Sequence, residues 1–184
     1  MSYEIEVKAW VRDPVELQKK LDQRATFLRH FEKRDLYFEG EASYRGQPVT
    51  VRIRQEDETS VCTFKERQTI DGVEHNREWE FSIGDPAAME TLLLRLGLNE
   101  RVRKRKTGVA YRLDELLLEL SDVDGLGHFL EVEILVDSSA DEAAQAAAKR
   151  RVRETLSSFD ILDDAIETRP YMRLLEERNG EGGR

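Results

Sequence analysis

The first strand-like run of the chain carries residues whose types and spacing could bind a charged ligand. Glu4, Glu6 and Lys8 alternate there with the apolar Ile5 and Val7. Because side chains alternate across a strand, the two carboxylates and the ammonium group share one face. Such a face is ordinary where it meets water. It becomes informative if other strands direct matching charges at the same space.

Later strand-like runs repeat this separation of charged from apolar residues. In the run at 49–55, for example, Arg52 and Arg54 oppose Val51 and Ile53. The charged residues assigned to the inward faces of the later runs are Arg52, Arg54, Lys65, Glu78, Glu80, Lys104, Lys106, Glu119, Glu131 and Glu133. The run at 102–106 is basic on both faces, and its Arg103 and Arg105 are assigned to a solvated outer face.

Charged faces that converge in an interior predict a binding site. Buried charge is costly unless it is paired, hydrated or ligated. Several carboxylates offer the hard oxygen ligands that suit Mg²⁺ or Mn²⁺. Arginine and lysine suit a multiply charged anion, since the guanidinium fork matches phosphate oxygens. Both sets in one wet cavity describe a site for a metal–polyphosphate complex.

The elements that must position these residues are strands joined mostly in hairpins. Strands are predicted at 3–8, 31–39, 49–55, 61–67, 77–83, 102–106, 109–113, 116–121 and 129–135. This pattern of eight or nine strands, with helices in the gaps, predicts an α+β fold. Eight antiparallel strands can close on themselves, so we expect a closed antiparallel eight-stranded β-barrel with helices packed outside.

Helices are predicted where capping residues precede apolar residues at helical spacing. Asp13-Pro14 and Asp85-Pro86 begin the first two, and Gly97 ends the second. A third runs from Ser138 or Ser139 to 157, with shorter helices near 163 and at 170–177. The apolar sides expected to pack on the sheet consist of Val15, Leu17, Leu21, Met89, Leu92, Leu93 and Leu96.

Length and composition narrow the class of protein. The 184 residues fit a single domain, assigned to 1–178 with a disordered tail at 179–184. The net charge of −9 argues against nucleic acid as a partner. Cys62 is the only cysteine, which permits a reducing compartment. No apolar stretch is long enough to cross a membrane, so we expect a cytoplasmic protein without a membrane partner.

The motifs also resemble a known family. Residues 4–8 look like the ExExK signature of the CYTH superfamily, the triphosphate tunnel metalloenzymes. Residues 51–54, 63–65, 77–80 and 102–106 resemble that family's later strand motifs, with Lys106 where arginine is usual. Residues 125–133 and 169–175 are similar to motifs of its class IV adenylyl cyclase branch, which is related to thiamine triphosphatase.

The resemblance implies roles for individual residues. The implied catalytic residues are Glu4, Glu6, Lys8 and Lys65. The implied substrate-binding residues are Lys8, Arg52, Arg54, Lys65, Arg77, Lys104 and Lys106. The implied ligands of Mg²⁺ or Mn²⁺ are Glu4, Glu6, Glu119, Glu131 and Glu133. Glu78 and Glu80 are either further metal ligands or structural partners of the basic residues.

One position departs from the pattern of the cyclase branch. Ser121 stands where that branch usually carries an aspartate. Either Glu119, which shares the inward face, substitutes for it, or the strand bulges and Asp122 turns inward.

The expected function is that of a metal-dependent enzyme acting on a triphosphate-containing small molecule. We expect hydrolysis of inorganic triphosphate or of a nucleoside or thiamine triphosphate. The alternatives are a class IV adenylyl cyclase, in which the 3′-oxygen of ATP attacks the α-phosphorus, and a non-catalytic polyphosphate-binding module. Cyclisation needs a pocket for adenosine, where Tyr37, Phe38 and Tyr44 could stack a base or could be core. The resemblance also makes a homodimer plausible.

Overall fold

A computed structural model describes residues 2–44, 47–70, 73–137 and 140–181; the side chains of residues 2–3, 41–44, 47–49, 65–70, 73–78 and 181 lie outside the description. The strands are β1 (Ser2–Trp10), β2 (Thr26–Tyr44), β3 (Gln47–Glu56), β4 (Thr59–Ile70), β5 (Val73–Ser82), β6 (Asn99–Leu113), β7 (Leu116–Val123) and β8 (Gly127–Asp137). The helices are α1 (Pro14–Arg24), α2 (Pro86–Arg95), α3 (Glu142–Ser158) and α4 (Tyr171–Glu181), with a short 3₁₀ helix at Asp163–Ala165. No helix in these ranges is long and apolar enough to span a bilayer.

All eight strands form one strongly curled antiparallel sheet in the order β1-β5-β4-β3-β2-β6-β7-β8, with β8 returning to β1. The two pairings of β1 differ in length. β1 pairs with β8 through nine residue pairs but with β5 through only three, because the register leaves the second half of β5 beyond the start of β1. The predicted α+β fold with eight antiparallel strands and outer helices is confirmed. The predicted closed barrel was wrong in its closure. β1 and β5 pair only over these three residue pairs, and beyond them the sheet is an open half-barrel.

The outer face of the sheet forms the hydrophobic core with the helices. Helices α1 and α3 cover β1, β6, β7 and β8, where Leu21 and Leu156 pack among fully buried strand residues such as Ile5 and Leu118. Helix α2 covers β2 and β3 through Leu93. Since the apolar residues face outward into the helices, the charged residues that alternate with them face the concave interior.

The predicted starts of the first two helices are confirmed. The side chain of Asp13 accepts a hydrogen bond from the backbone N–H of Glu16, and Asp85 does the same for Ala88. The third helix is capped by Asp141, so it begins at Glu142 rather than at the predicted serines. The fourth continues to Glu181, past the point where a disordered tail was predicted.

The apolar sides of the helices are narrower than predicted. Leu17, Leu21 and Leu93 are buried, and Met89 packs against the same core as Leu93. The predictions for Val15, Leu92 and Leu96 were wrong, since these side chains are largely exposed: Val15 65%, Leu92 49% and Leu96 67%. A short helix that crosses a curved sheet touches it along one line, and residues to either side of that line meet water.

The predicted strands at 102–106 and 109–113 are one strand, β6, and Gly108 explains the difference. A Cβ at Gly108 would lie 2.3 Å from the backbone oxygen of Leu120 and 2.9 Å from the ring of Phe31. Glycine therefore serves close packing inside β6 and not a turn. The sheet consequently has eight strands and not nine.

Candidate functional site

The concave side of the sheet encloses a cavity of about 490 Å³. Every strand contributes to its lining, and α4 contributes Tyr171. Most of the lining is charged or polar and includes Glu4, Glu6, Lys8, Lys33, Tyr37, Arg52, Arg54, Thr63, Glu80, Lys104, Lys106, Glu119, Glu131, Glu133 and Tyr171. The alternation of side chains along each strand thus places the charged residues together, as the sequence pattern predicts.

Among the predicted site residues with described side chains, all except Asp122 converge in this cavity. We call the carboxylates of β1, β7 and β8 the acidic wall: Glu4, Glu6, Glu119, Glu131 and Glu133. The basic side chains of β2, β3 and β6 form the basic wall: Lys33, Arg52, Arg54, Lys104 and Lys106. Lys8 and Glu80 also line the cavity. The side chains of Lys65, Arg77 and Glu78 lie outside the described residues.

The structure decides between Glu119 and Asp122. Strands β7 and β8 pair without a shift in register from Leu117 to Val123, so the strand has no bulge there. Ser121 points inward and is buried, whereas the side chain of Asp122 is exposed, with its carboxylate 3.8 Å from Nδ1 of His128. The alternative that placed Asp122 in the site was therefore wrong, and Glu119 faces the cavity.

The two walls meet in a chain of ion pairs. Lys106 Nζ lies 2.8 Å from Oε2 of Glu119 and also contacts Oε2 of Glu131. Lys33 Nζ contacts the other oxygen of Glu119. Burial alone would raise the pKa of Glu119, but Lys106 and Lys33 outweigh it and hold that pKa below its usual range. Burial lowers the pKa of Lys33.

A second set of ion pairs lies within the basic wall. Oδ1 of Asp35 accepts a hydrogen bond from Arg54 Nε at 2.7 Å, and Oδ2 accepts one from Arg54 Nη2 at 2.8 Å. Lys104 Nζ lies 2.8 Å from Oδ2, and the hydroxyl of Tyr37 lies 3.3 Å from the same oxygen. Burial opposes ionisation here too, yet Lys104 and Arg54 hold the pKa of Asp35 well below its usual range.

Helix α4 closes against the cavity through the ring of Tyr171. The ammonium groups of Lys8 and Lys104 lie 4.8 Å and 4.7 Å from the centre of this ring, and that of Lys106 lies 5.9 Å away. Lys8 Nζ also donates to the backbone oxygen of Arg169 at 2.8 Å. Burial, together with nearby carboxylates of the acidic wall, raises the pKa of Tyr171 well above its usual range. The neutral ring of Tyr171 thus makes cation–π contacts with three lysine ammonium groups.

Sequence reasoning missed Lys33 and Tyr171 as cavity residues, and Asp35 as the buried partner of Arg54 and Lys104. Lys33 and Asp35 share a face of β2 with Tyr37, but the opposite face is charged too, so alternation within the predicted strand did not single them out. The aromatic residues proposed as base-stacking candidates separate. Tyr37 lines the cavity, Phe38 is buried under α2, and the side chain of Tyr44 lies outside the described residues.

The donor types of the acidic wall fit a hard divalent cation such as Mg²⁺ or Mn²⁺. Their placement fits it in pairs: Glu119 lies opposite Glu131 on β7 and β8, and Glu6 lies opposite Glu133 on β1 and β8. Within the described part of the chain, no three Asp, Glu, His or Cys side chains lie close enough together to hold a metal ion. The lysine contacts explain part of this, because Lys106 lies between the carboxylates of one pair.

Comparison with known sequences matches residues 2–164 to the CYTH domain. The chain belongs to the CYTH domain family. This confirms the resemblance that the ExExK signature and later strand motifs predicted. The match covers the whole sheet and therefore every strand that lines the cavity.

The matches to relatives of this CYTH domain cover more than nine-tenths of the chain. The protein named "Putative adenylate cyclase MJ0240" from Methanocaldococcus jannaschii is 31% identical over 176 residues, covering 93% of this chain and 97% of that protein. A conserved hypothetical protein from Pyrococcus furiosus has a TM-score of 0.79 at 27% identity, covering 93% of this chain and 99% of that one. The PH1819 protein from Pyrococcus horikoshii has a TM-score of 0.81 at 25% identity, covering 95% and 99%.

Proposed function

We propose that this CYTH domain is a divalent-metal-dependent enzyme that hydrolyses a triphosphate, either inorganic triphosphate or a nucleoside or thiamine triphosphate. The observation that carries the proposal is the cavity itself, in which an acidic wall and a basic wall face the same space of about 490 Å³. A simple anion-binding module needs the bases but has no use for five carboxylates beside them. A triphosphate bound as its metal complex uses both walls.

The residues of the two walls have separate tasks in this proposal. The basic wall binds the phosphate oxygens, with the planar guanidinium groups of Arg52 and Arg54 suited to bidentate contacts. Lys8, Lys65 and Arg77 complete this set. The acidic wall holds Mg²⁺ or Mn²⁺, which supplies charge neutralisation for the transferring phosphoryl group when bound. Catalysis then consists of positioning and electrostatic stabilisation, with no covalent intermediate on the chain.

The second candidate function is cyclisation of ATP to cyclic AMP and pyrophosphate. It is favoured by the name carried by the Methanocaldococcus jannaschii relative, which is 31% identical across nearly the whole chain. Both reactions use the same walls and differ in the attacking group: water for hydrolysis, the ribose 3′-oxygen for cyclisation. Hydrolysis makes the smaller demand, since it requires no pocket that orients a ribose.

The test is product analysis with purified protein and Mg²⁺ or Mn²⁺. Inorganic triphosphate, ATP and thiamine triphosphate are supplied separately. Phosphate release supports hydrolysis and ranks the three substrates, whereas cyclic AMP with pyrophosphate from ATP supports cyclisation. Binding of all three without any product would leave only the non-catalytic module.

A pair of matched variants links the activity to the acidic wall. Glu4→Gln keeps the shape of the side chain but removes its charge, and we expect it to abolish turnover of either kind. Glu58→Gln makes the same change at an exposed turn between β3 and β4 and should leave turnover intact. Full activity in Glu4→Gln would refute the assignment of Glu4 to metal binding.

A further inference from the structure

Asp35 occupies the centre of a cross-strand row of charged residues. It lies directly opposite Arg54 on β3 and directly opposite Lys104 on β6. Its side chain is 0% exposed, so its carboxylate does not reach the solvent. A buried carboxylate between two cations that line the cavity fixes their positions without itself facing a ligand.

The contacts of Asp35 are directional on both sides. Arg54 is held by two hydrogen bonds in the fork geometry, which fixes the plane and the rotation of its guanidinium group. Two of its five N–H donors are used in this way, so up to three can serve other acceptors. Lys104 Nζ is held by Oδ2 of Asp35 and by the hydroxyl of Tyr37, which lies 3.3 Å away.

We propose that Asp35 is a positioning residue for anion binding: its carboxylate holds Arg54 and Lys104 in the orientation in which they bind phosphate oxygens. This inference rests on the proposed function, since it assigns the anion to the same cavity. Without Asp35, the two cations would repel each other and their long side chains would have to be ordered by the ligand. Each side chain ordered on binding weakens affinity by a factor of about two to ten.

A positioning role and a purely electrostatic role predict opposite changes in triphosphate affinity when Asp35 loses its charge. Asp35→Asn removes one negative charge from the neighbourhood of an anion site. If Asp35 acted only through its charge, inorganic triphosphate would bind more tightly to the variant. If it positions Arg54 and Lys104, binding weakens by about tenfold, because two side chains lose their anchor. A role in folding alone would lower the melting temperature and leave the affinity of the folded protein unchanged.

The experiment is calorimetric titration of inorganic triphosphate into wild type and Asp35→Asn, below the melting temperature of each. The same substitution is then made in the Arg54→Gln/Lys104→Met background, where nothing remains to be positioned, and we expect a change of less than about twofold. Equal or tighter binding of triphosphate to Asp35→Asn overturns the proposal. It is also overturned if Asp35→Asn weakens binding as much in the Arg54→Gln/Lys104→Met background as it does in wild type. If Asp35→Asn does not fold, Asp35→Asn/Lys104→Met leaves one unpaired cation instead of two, and we expect about threefold weaker binding than to Lys104→Met alone.

Asp22→Asn is the matched control. Asp22 accepts a hydrogen bond from the buried Tyr111 at 2.6 Å, outside the cavity. We expect its loss to reduce stability without changing triphosphate affinity. The outcomes also separate this inference from the proposed function: equal binding by wild type and Asp35→Asn removes only the role of Asp35. Failure of wild type to bind triphosphate removes the proposed function, and the role of Asp35 with it.

Discussion

Replacing Lys106 with methionine tests whether the acidic wall binds a divalent cation. The substitution keeps the length and apolar volume of the side chain but removes an ammonium group that contacts both Glu119 and Glu131. These carboxylates lie opposite each other on paired strands and are mostly buried, with 9% and 12% of their side chains exposed. The variant therefore leaves two like charges facing each other in a confined space.

The magnitude follows from the geometry. Two carboxylates about 5 Å apart repel by roughly 3 kcal/mol at an effective dielectric constant of about 20. Breaking a buried ion pair by removing one partner typically costs about 3–5 kcal/mol, and Lys33 still contacts Glu119, which favours the lower end. At about 2–4 °C per kcal/mol for a domain of this size, we expect the melting temperature to fall by roughly 6–20 °C.

The assay is thermal unfolding with and without Mg²⁺ or Mn²⁺. A divalent cation that binds the vacated carboxylates should restore stability, by about 2.7 kcal/mol at 100 times its dissociation constant. Lys104→Met is the control: it removes an equally buried lysine whose partner, Asp35, is not in the acidic wall. The reasoning is refuted if divalent cations stabilise Lys106→Met no more than they stabilise wild type or Lys104→Met.

Three further variants test other contacts. Arg169 donates to Glu167 and lowers the pKa of Glu167 to about 2. The Glu167 carboxylate therefore stabilises the fold fully above about pH 4.5, and this stabilisation is lost as the pH falls towards 2. In Glu167→Gln the free energy of unfolding should depend less on pH in that window, by at most about 3 kcal/mol. Tyr171→Leu removes the ring beneath three ammonium groups and should weaken binding of inorganic triphosphate several-fold more than Tyr171→Phe, which keeps the ring; equal losses would exclude a role for the ring. Gly108→Ala should lower the melting temperature, because its Cβ would meet backbone at 2.3 Å, whereas Gly84→Ala, with open space around the Cβ, should not.

Alternation alone placed most of the acidic and basic walls correctly. On β3 and β8 the charged residues oppose apolar ones, so one face of each strand had to be core and the other had to be cavity. Arg52 and Glu131 are examples, and both line the cavity. The signal is strong because burying Ile53 or Val132 under a helix fixes where their neighbours on the strand must point.

Strand β2 shows where the same reasoning fails. Its inward residues include Lys33 and Asp35, but its outward Glu32 and Arg34 are also charged and pair on the exposed surface. With polar residues on both faces, periodicity no longer distinguishes inside from outside. The predicted apolar sides of the helices were wrong for a different reason: the spacing was clear, but the contact with the sheet was narrower than the spacing indicated. Leu92 and Leu96 have helical spacing, but α2 packs on the sheet through Met89 and Leu93, and both predicted leucines are exposed.

The ion pairs of Lys106 with Glu119 and Glu131 couple the binding of an anion to the binding of a cation. An anion that takes Lys106 leaves Glu119 and Glu131 without that partner, and a cation that takes these carboxylates leaves Lys106 without them. Neither ligand alone keeps both walls neutralised, whereas the two together would give Lys106 and the two carboxylates new partners of opposite charge. Binding of the cation and of the triphosphate should therefore be cooperative, and thermodynamic linkage requires each to raise the affinity of the other by the same factor. Independent binding of Mg²⁺ and triphosphate would mean that Lys106 stays on its carboxylates when the cavity fills.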